Sequence, residues 1–121
     1  MNTNDANKTI ANKWIAAFND HDLEALLLLY DENAVHFSPK LKLRQPETGG
    51  WVKGNAGLRK WWADAFDRLP SLHYELKNLL VDDTQVLMEY QRTVESEPSM
   101  MVAEILEVND GCITKSRVYH G

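Results

Sequence analysis

Glu104 is the first residue in this chain whose setting suggests chemistry. From Met100 to Val108 one face of an alternating stretch reads Val102, Glu104, Leu106, Val108, so a carboxylate breaks an otherwise hydrocarbon row. A carboxyl group withdrawn from water has its pKa raised towards the range useful for general acid or base work. Two placements fit the pattern: Glu104 inside an apolar cavity, or Glu104 turned to solvent or onto Arg92 by the twist of a sheet. Histidine is the other side chain that exchanges protons near neutrality. His36 and Ser38 share one face of a short alternating segment, with Val35 and Phe37 opposite. Thr114, Ser116, Val118 and His120 share a face of the last segment, where His120 is one residue from the end. His21 and His73 sit among polar neighbours and are expected in solvent. Glu104, His36 and His120 are therefore the candidates for proton transfer.

Other chemistries lack their residues. The four histidines have neither HxH nor HExxH spacing, so no metal is expected. GxGxxG, GxxxxGK[ST] and GxSxG are absent, which leaves no support for nucleotide or serine-hydrolase chemistry, and no cofactor is expected. A formal charge of -5 without a run of Lys or Arg argues against nucleic acid or an anionic membrane as partner. Cys112, a lone cysteine, rules out an internal disulfide and reads as a small half-buried apolar residue. No run of 18 apolar residues occurs and MNTNDANK has no apolar core, so the expected location is the cytoplasm.

The elements that must position these residues follow from periodicity. The 121 residues suit a single domain, residues 1–121, with 1–7 polar and frayed. Ile10, Trp14, Ala17 and Phe18 predict a helix from about Lys8 to Asn19, and Leu23, Leu26, Leu27 and Tyr30 predict a second from Leu23 to about Asp31, with Asp22 as its N-cap. Val35 to Ser38 reads as a first strand stopped by Pro39. Residues 40–54, with Pro46, Gly49 and Gly50, read as a long loop that is either a lid or a simple bridge. Leu58, Trp61, Trp62, Ala65, Phe66 and Leu69 mark a third helix opened by Asn55 and ended by Pro70. Trp61 and Trp62 fit both core packing and an aromatic binding wall. From Leu72 the period becomes two, giving four strands joined by short turns, with Asn109-Asp110-Gly111 a strong hairpin signal. The order is that of an α+β domain.

Laid out in this way, the chain resembles the NTF2-like superfamily in its SnoaL-like branch, which includes polyketide cyclases and ketosteroid isomerases. The resemblance is carried by WIAAFNDHDLEAL from Trp14, by DENAVHFSP up to Pro39, and by GNAGLRKWW from Gly54, and it covers nearly the whole chain. It implies a cone of three N-terminal helices packed on a strongly curved, mostly antiparallel sheet. It places His36, Ser38, Glu104 and His120 on the cavity side. The general-base Asp of the ketosteroid isomerases falls at Ser38, and their helix-one Tyr falls at Trp14. Their second, protonated acid is kept, as Glu104. A steroid-isomerase mechanism of the usual kind is therefore not expected.

The expectation is a protein that binds a small apolar organic ligand, with Glu104 and His36 or His120 moving a proton as in an isomerase, cyclase or dehydratase. Trp14, Ser38, Trp62, Tyr90, Arg92 and Val118 are the expected binding residues. The alternative is a non-catalytic ligand-binding or dimerisation module, whose polar pocket groups pair internally. The resemblance also implies a homodimer through the outer sheet face, near Leu87, Gln91, Arg117 and Tyr119.

Overall fold

The computed structural model describes residues 3–121. Helix α1 spans Thr3–Asn19 and buries Ile10, Ala11, Trp14, Ala17 and Phe18 as one stripe. It starts five residues before the expected Lys8, so residues 3–7 of the segment read as frayed are helical; Met1 and Asn2 lie outside the described residues. Asn7 fastens this end, its side-chain amide donating to the Asp82 carbonyl at 2.8 Å. Helix α2, Leu23–Leu27, carries the expected cap: Asp22 accepts from the Ala25 amide at 3.1 Å. It ends well short of Asp31, because Tyr30 opens strand β1, Tyr30–Phe37, instead of closing the helical stripe. So short a helix has little cohesion of its own, and the sheet claims the backbone: the Ile113 amide donates to the Leu29 carbonyl at 2.8 Å and Tyr30 pairs with Ile113.

Residues 40–54 are mostly ordered elements rather than the expected loop. Ser38 caps helix α3, Pro39–Arg44, with Pro39 in its first turn, a serine–proline start that also looks like the end of a strand. A 3-10 turn at Pro46–Thr48 and strand β2, Trp51–Lys53, lead into helix α4, Gly54–Arg68, whose N-cap is Lys53 and not Asn55. Strands β3, His73–Val81, β4, Gln85–Thr93, β5, Met100–Asn109, and β6, Cys112–His120, complete the chain.

The six strands form one curved sheet in the order β2-β1-β6-β5-β4-β3, antiparallel except where β1 runs parallel to β6. Extra residues in β1, β3 and β6 shift the register and supply bends, since an extra residue on one strand sharpens the local twist. At the β5–β6 turn both central residues take positive φ, 49° at Asp110 and 78° at Gly111, the two-residue hairpin geometry that matches strand twist. The hollow of the sheet holds α1. Asn19 at its C-terminal end mimics a strand partner, donating to the Tyr74 carbonyl at 2.9 Å and accepting from the Tyr74 amide at 2.7 Å. No helix among the described residues is long and apolar enough to cross a membrane.

Candidate active site

Alternation in β5 places Val102, Glu104, Leu106 and Val108 on the concave face, and all four are buried. Glu104 lies between Met88 of β4 and Val118 of β6, so its neighbours across the sheet are hydrocarbon. It is 2% exposed and makes no pair with Arg92, whose guanidinium binds Glu97 at 2.8 Å instead. The Tyr90 hydroxyl donates to Oε1 at 3.1 Å. Oε2 is buried with no hydrogen-bond partner, the sole such side-chain atom among the described residues. Burial raises the Glu104 pKa well above the carboxylate range, against a smaller opposing effect of the Tyr90 bond. Burial thus favours the neutral carboxylic acid form of Glu104.

His36 stands beside it, with Nδ1 3.8 Å from Oε2. The nearer partner of Nδ1 is the Ser116 hydroxyl at 2.6 Å. Ser116 also accepts from the Tyr30 hydroxyl at 2.9 Å, and Tyr30 accepts from the Trp14 indole at 3.1 Å. An indole N–H can only donate, so the chain runs from Trp14 to Tyr30 and from Tyr30 to Ser116, which leaves the Ser116 hydroxyl proton free for His36. In the tautomer with the ring proton on Nε2, Nδ1 accepts a hydrogen bond from the Ser116 hydroxyl. Burial lowers the His36 pKa to about 3, which agrees with a neutral ring. With a neutral His36 ring, its contact with Glu104 is not an ion pair.

Both line a cavity of about 100 Å³ between the sheet, α1, α3 and α4. Trp14 and Tyr90 form its back wall, with the Tyr74 ring stacked 4.2 Å from Tyr90. Burial raises the pKa values of both tyrosines, so their phenols stay protonated. Trp62 and Val118 line the sides, and Trp62 also packs against His36 at 5.3 Å between ring centres. Trp62 is thus core and wall at once, whereas Trp61 is half-buried with Arg44 over its ring. Ser38 borders the cavity while its hydroxyl caps α3. His120, exposed, marks the mouth, two residues along β6 from the Val118–Glu104 pair. Burial, then Lys40 and Arg92, lowers its pKa. A second hollow of about 300 Å³ adjoins this mouth and shares Lys40, Trp61, Arg68, Leu69 and Arg92.

All nine residues singled out from the sequence therefore border one cavity. Four that shape it were not singled out. Tyr30 continued a helical repeat, Ser116 and Tyr74 gave no signal beyond alternation, and Lys40 lay in the segment read as loop. His21 is half-buried rather than solvated; its Nε2 meets the Leu72 carbonyl at 2.9 Å and its ring stacks on Phe66.

A curved sheet wrapped on helices, with a buried acid in its hollow, defines the NTF2-like class. The profile of the SnoaL-like domain matches residues 11–116, and the chain belongs to that family. Among solved structures, a SnoaL-like protein of unknown function from Burkholderia thailandensis superposes with a TM-score of 0.83 at 24% identity, covering 96% of this chain and 93% of that one. A protein from Kribbella flavida provisionally named a ketosteroid isomerase gives 0.81 at 18%, covering 100% and 82%. One from Sinorhizobium meliloti provisionally named a polyketide cyclase gives 0.77 at 19%, covering 92% and 94%. These likenesses describe the fold. No curated protein matches the sequence.

Proposed function

We propose that the cavity binds a small, largely apolar organic molecule and that Glu104 is the acid of a cofactor-independent isomerisation, cyclisation or dehydration. The observation that carries this reading is the buried Glu104 in the cavity wall with Oε2 unpartnered, a setting that raises its pKa. A ligand oxygen would supply the missing partner after a rotation of the terminal carboxyl torsion, which is soft. His36, with its proton on Nε2, is a neutral hydrogen-bond donor rather than a base. His120, neutral near pH 7 and in touch with water, is the better acceptor for a proton leaving carbon. The names carried by the Kribbella and Sinorhizobium proteins agree with this reaction class.

The test is turnover of a panel of cyclic ketones and hydroxy compounds. For any compound converted, Glu104→Gln should lower kcat by about 10²-fold or more while KM changes little, since loss of a positioned proton donor costs of that order. Unchanged kcat would remove Glu104 from the mechanism. A non-catalytic reading is favoured by one observation, that Nδ1 of His36 is already satisfied by Ser116. It expects binding without conversion by both proteins.

The same reading makes the outer sheet face a homodimer interface. Leu80, Met101 and Tyr119 are exposed there, with Leu87 opposite Leu80, Gln91 opposite Met101 and Arg117 opposite Ile105 across the strands. Light scattering should give twice the chain mass at micromolar concentration, and a monomer would refute the interface. Cys112, a free thiol, fits a reducing, cytoplasmic setting.

A further inference from the structure

The chain carries a net charge of -5, yet the walls of its cavity hold Lys40, Arg68, Arg92 and the exposed His120. The carboxyl group in the same lining is Glu104, whose burial favours its neutral form. Arg68 is tied to Asp64 at 2.7 Å, one turn back on α4. Arg92 is 6% exposed and gives one Nη to the half-exposed Glu97 at 2.8 Å. Its Nε and other Nη have no protein partner, and they are not sealed in, since the one sealed and unpartnered polar side-chain atom among the described residues is Glu104 Oε2. Lys40 forms no ion pair among the described residues. Burial and the nearby Arg92 hold its ammonium below its ordinary pKa. Arg68 and Arg92 each have one carboxylate and Lys40 has none, so positive charge exceeds negative at this hollow, and an incoming anion would relieve the repulsion.

We propose that the ligand of this cavity is an organic carboxylate, its carboxylate held at the mouth by Lys40 and Arg92 and its apolar body directed inward to Trp14, Tyr90 and Glu104. This rests on the cavity being the ligand site and adds the class of molecule it takes. The flat fork of Arg92 suits a planar carboxylate, and Lys40 adds a mobile point charge. An inner volume of about 100 Å³ with a 300 Å³ hollow at its mouth suits a molecule of one or two rings.

Matched pairs of probes test it, benzoate with benzamide and cyclohexanecarboxylate with its amide, titrated by ligand-observed NMR at pH 7. The acids should bind about tenfold or more tighter than the amides, as expected for charge-assisted bonds at a partly buried site. Lys40→Met should erase that preference without weakening the amides, and its melting temperature checks that it is folded. Arg92→Lys should reduce the preference, because the fork is lost. Amides binding as tightly as acids, or an acid preference that survives Lys40→Met, would overturn the carboxylate assignment and leave the cavity reading intact. Binding of neither acids nor amides would overturn the cavity reading itself. Displacement by inorganic phosphate as effective as by the ring acids would overturn the assignment in favour of a simple anion site.

Discussion

Replacing Trp14 with alanine is expected to cost about 3–5 kcal/mol, the range for deleting a large buried aromatic side chain. Trp14 is 1% exposed and its ring contacts Phe18, Tyr74 and Tyr90 at 4.4, 5.8 and 5.7 Å between centres. The cavity left behind would be lined by rings fixed from other elements, so it could not collapse cheaply. The indole also donates the first bond of the chain that ends on His36. Trp14→Phe separates the two effects. It keeps most of the packing and should cost about 1–3 kcal/mol, part of it for the unsatisfied Tyr30 oxygen. It should also free the Tyr30–Ser116–His36 chain to reverse, which proton and nitrogen NMR of the His36 ring would register as a mixture of tautomers. A ring that keeps its proton wholly on Nε2 in Trp14→Phe would show that another contact sets the tautomer. Urea unfolding of the two variants measures the stability terms.

The dependence of stability on pH should show a plateau between about pH 4.5 and 6.5, with losses of roughly 1.4 kcal/mol per pH unit on either side from two buried groups. His36 titrates near 6.5 when unfolded and near 3 when folded. Between those values the unfolded chain binds the extra proton, so stability falls as pH drops. Glu104 behaves oppositely. Its ordinary value is 4.5 and burial raises it, so above pH 4.5 the folded chain holds the extra proton and stability falls as pH rises, until the folded pKa is reached. From 4.5 to 6.5 the two slopes cancel. Glu104→Gln should remove the alkaline loss and gain stability relative to the wild type as pH rises above 4.5 in urea titrations, while His36→Asn should weaken the acid limb. A Glu104→Gln difference that stays constant with pH would mean that Glu104 is ionised, and the neutral-acid mechanism would fall with it.

Glu104 shows how far the sequence reaches. A carboxylate between Val102 and Leu106 at period two is a local pattern, and the pattern decides which face of the strand it occupies. The helix stripe of Trp14 and Phe18, the Asp22 cap and the Asp110-Gly111 hairpin were legible for the same reason, because each depends on residues a few positions apart. The resemblance to the SnoaL-like family extended these pieces to a whole architecture. Where a local signal had two meanings, the sequence misled: Tyr30 fits the last turn of a helix and the first residue of a strand, and Ser38-Pro39 ends a strand and caps a helix.

What the chain folds around was decided by pairing at long range. Parallel pairing of β1 with β6 brings His36 onto Ser116, 80 positions away, and Tyr30 onto the same hydroxyl. Helix α3 carries Lys40 to the mouth that Arg92 borders. No periodicity encodes such meetings, because they depend on strand order and on which bulge shifts the register. By itself the sequence determined the class of fold and the identity of the acid. The tertiary structure decided that Glu104 is sealed from water with one oxygen unpartnered, that His36 meets Ser116, and that Lys40 and Arg92 border one hollow, since burial and contact depend on pairing at long range.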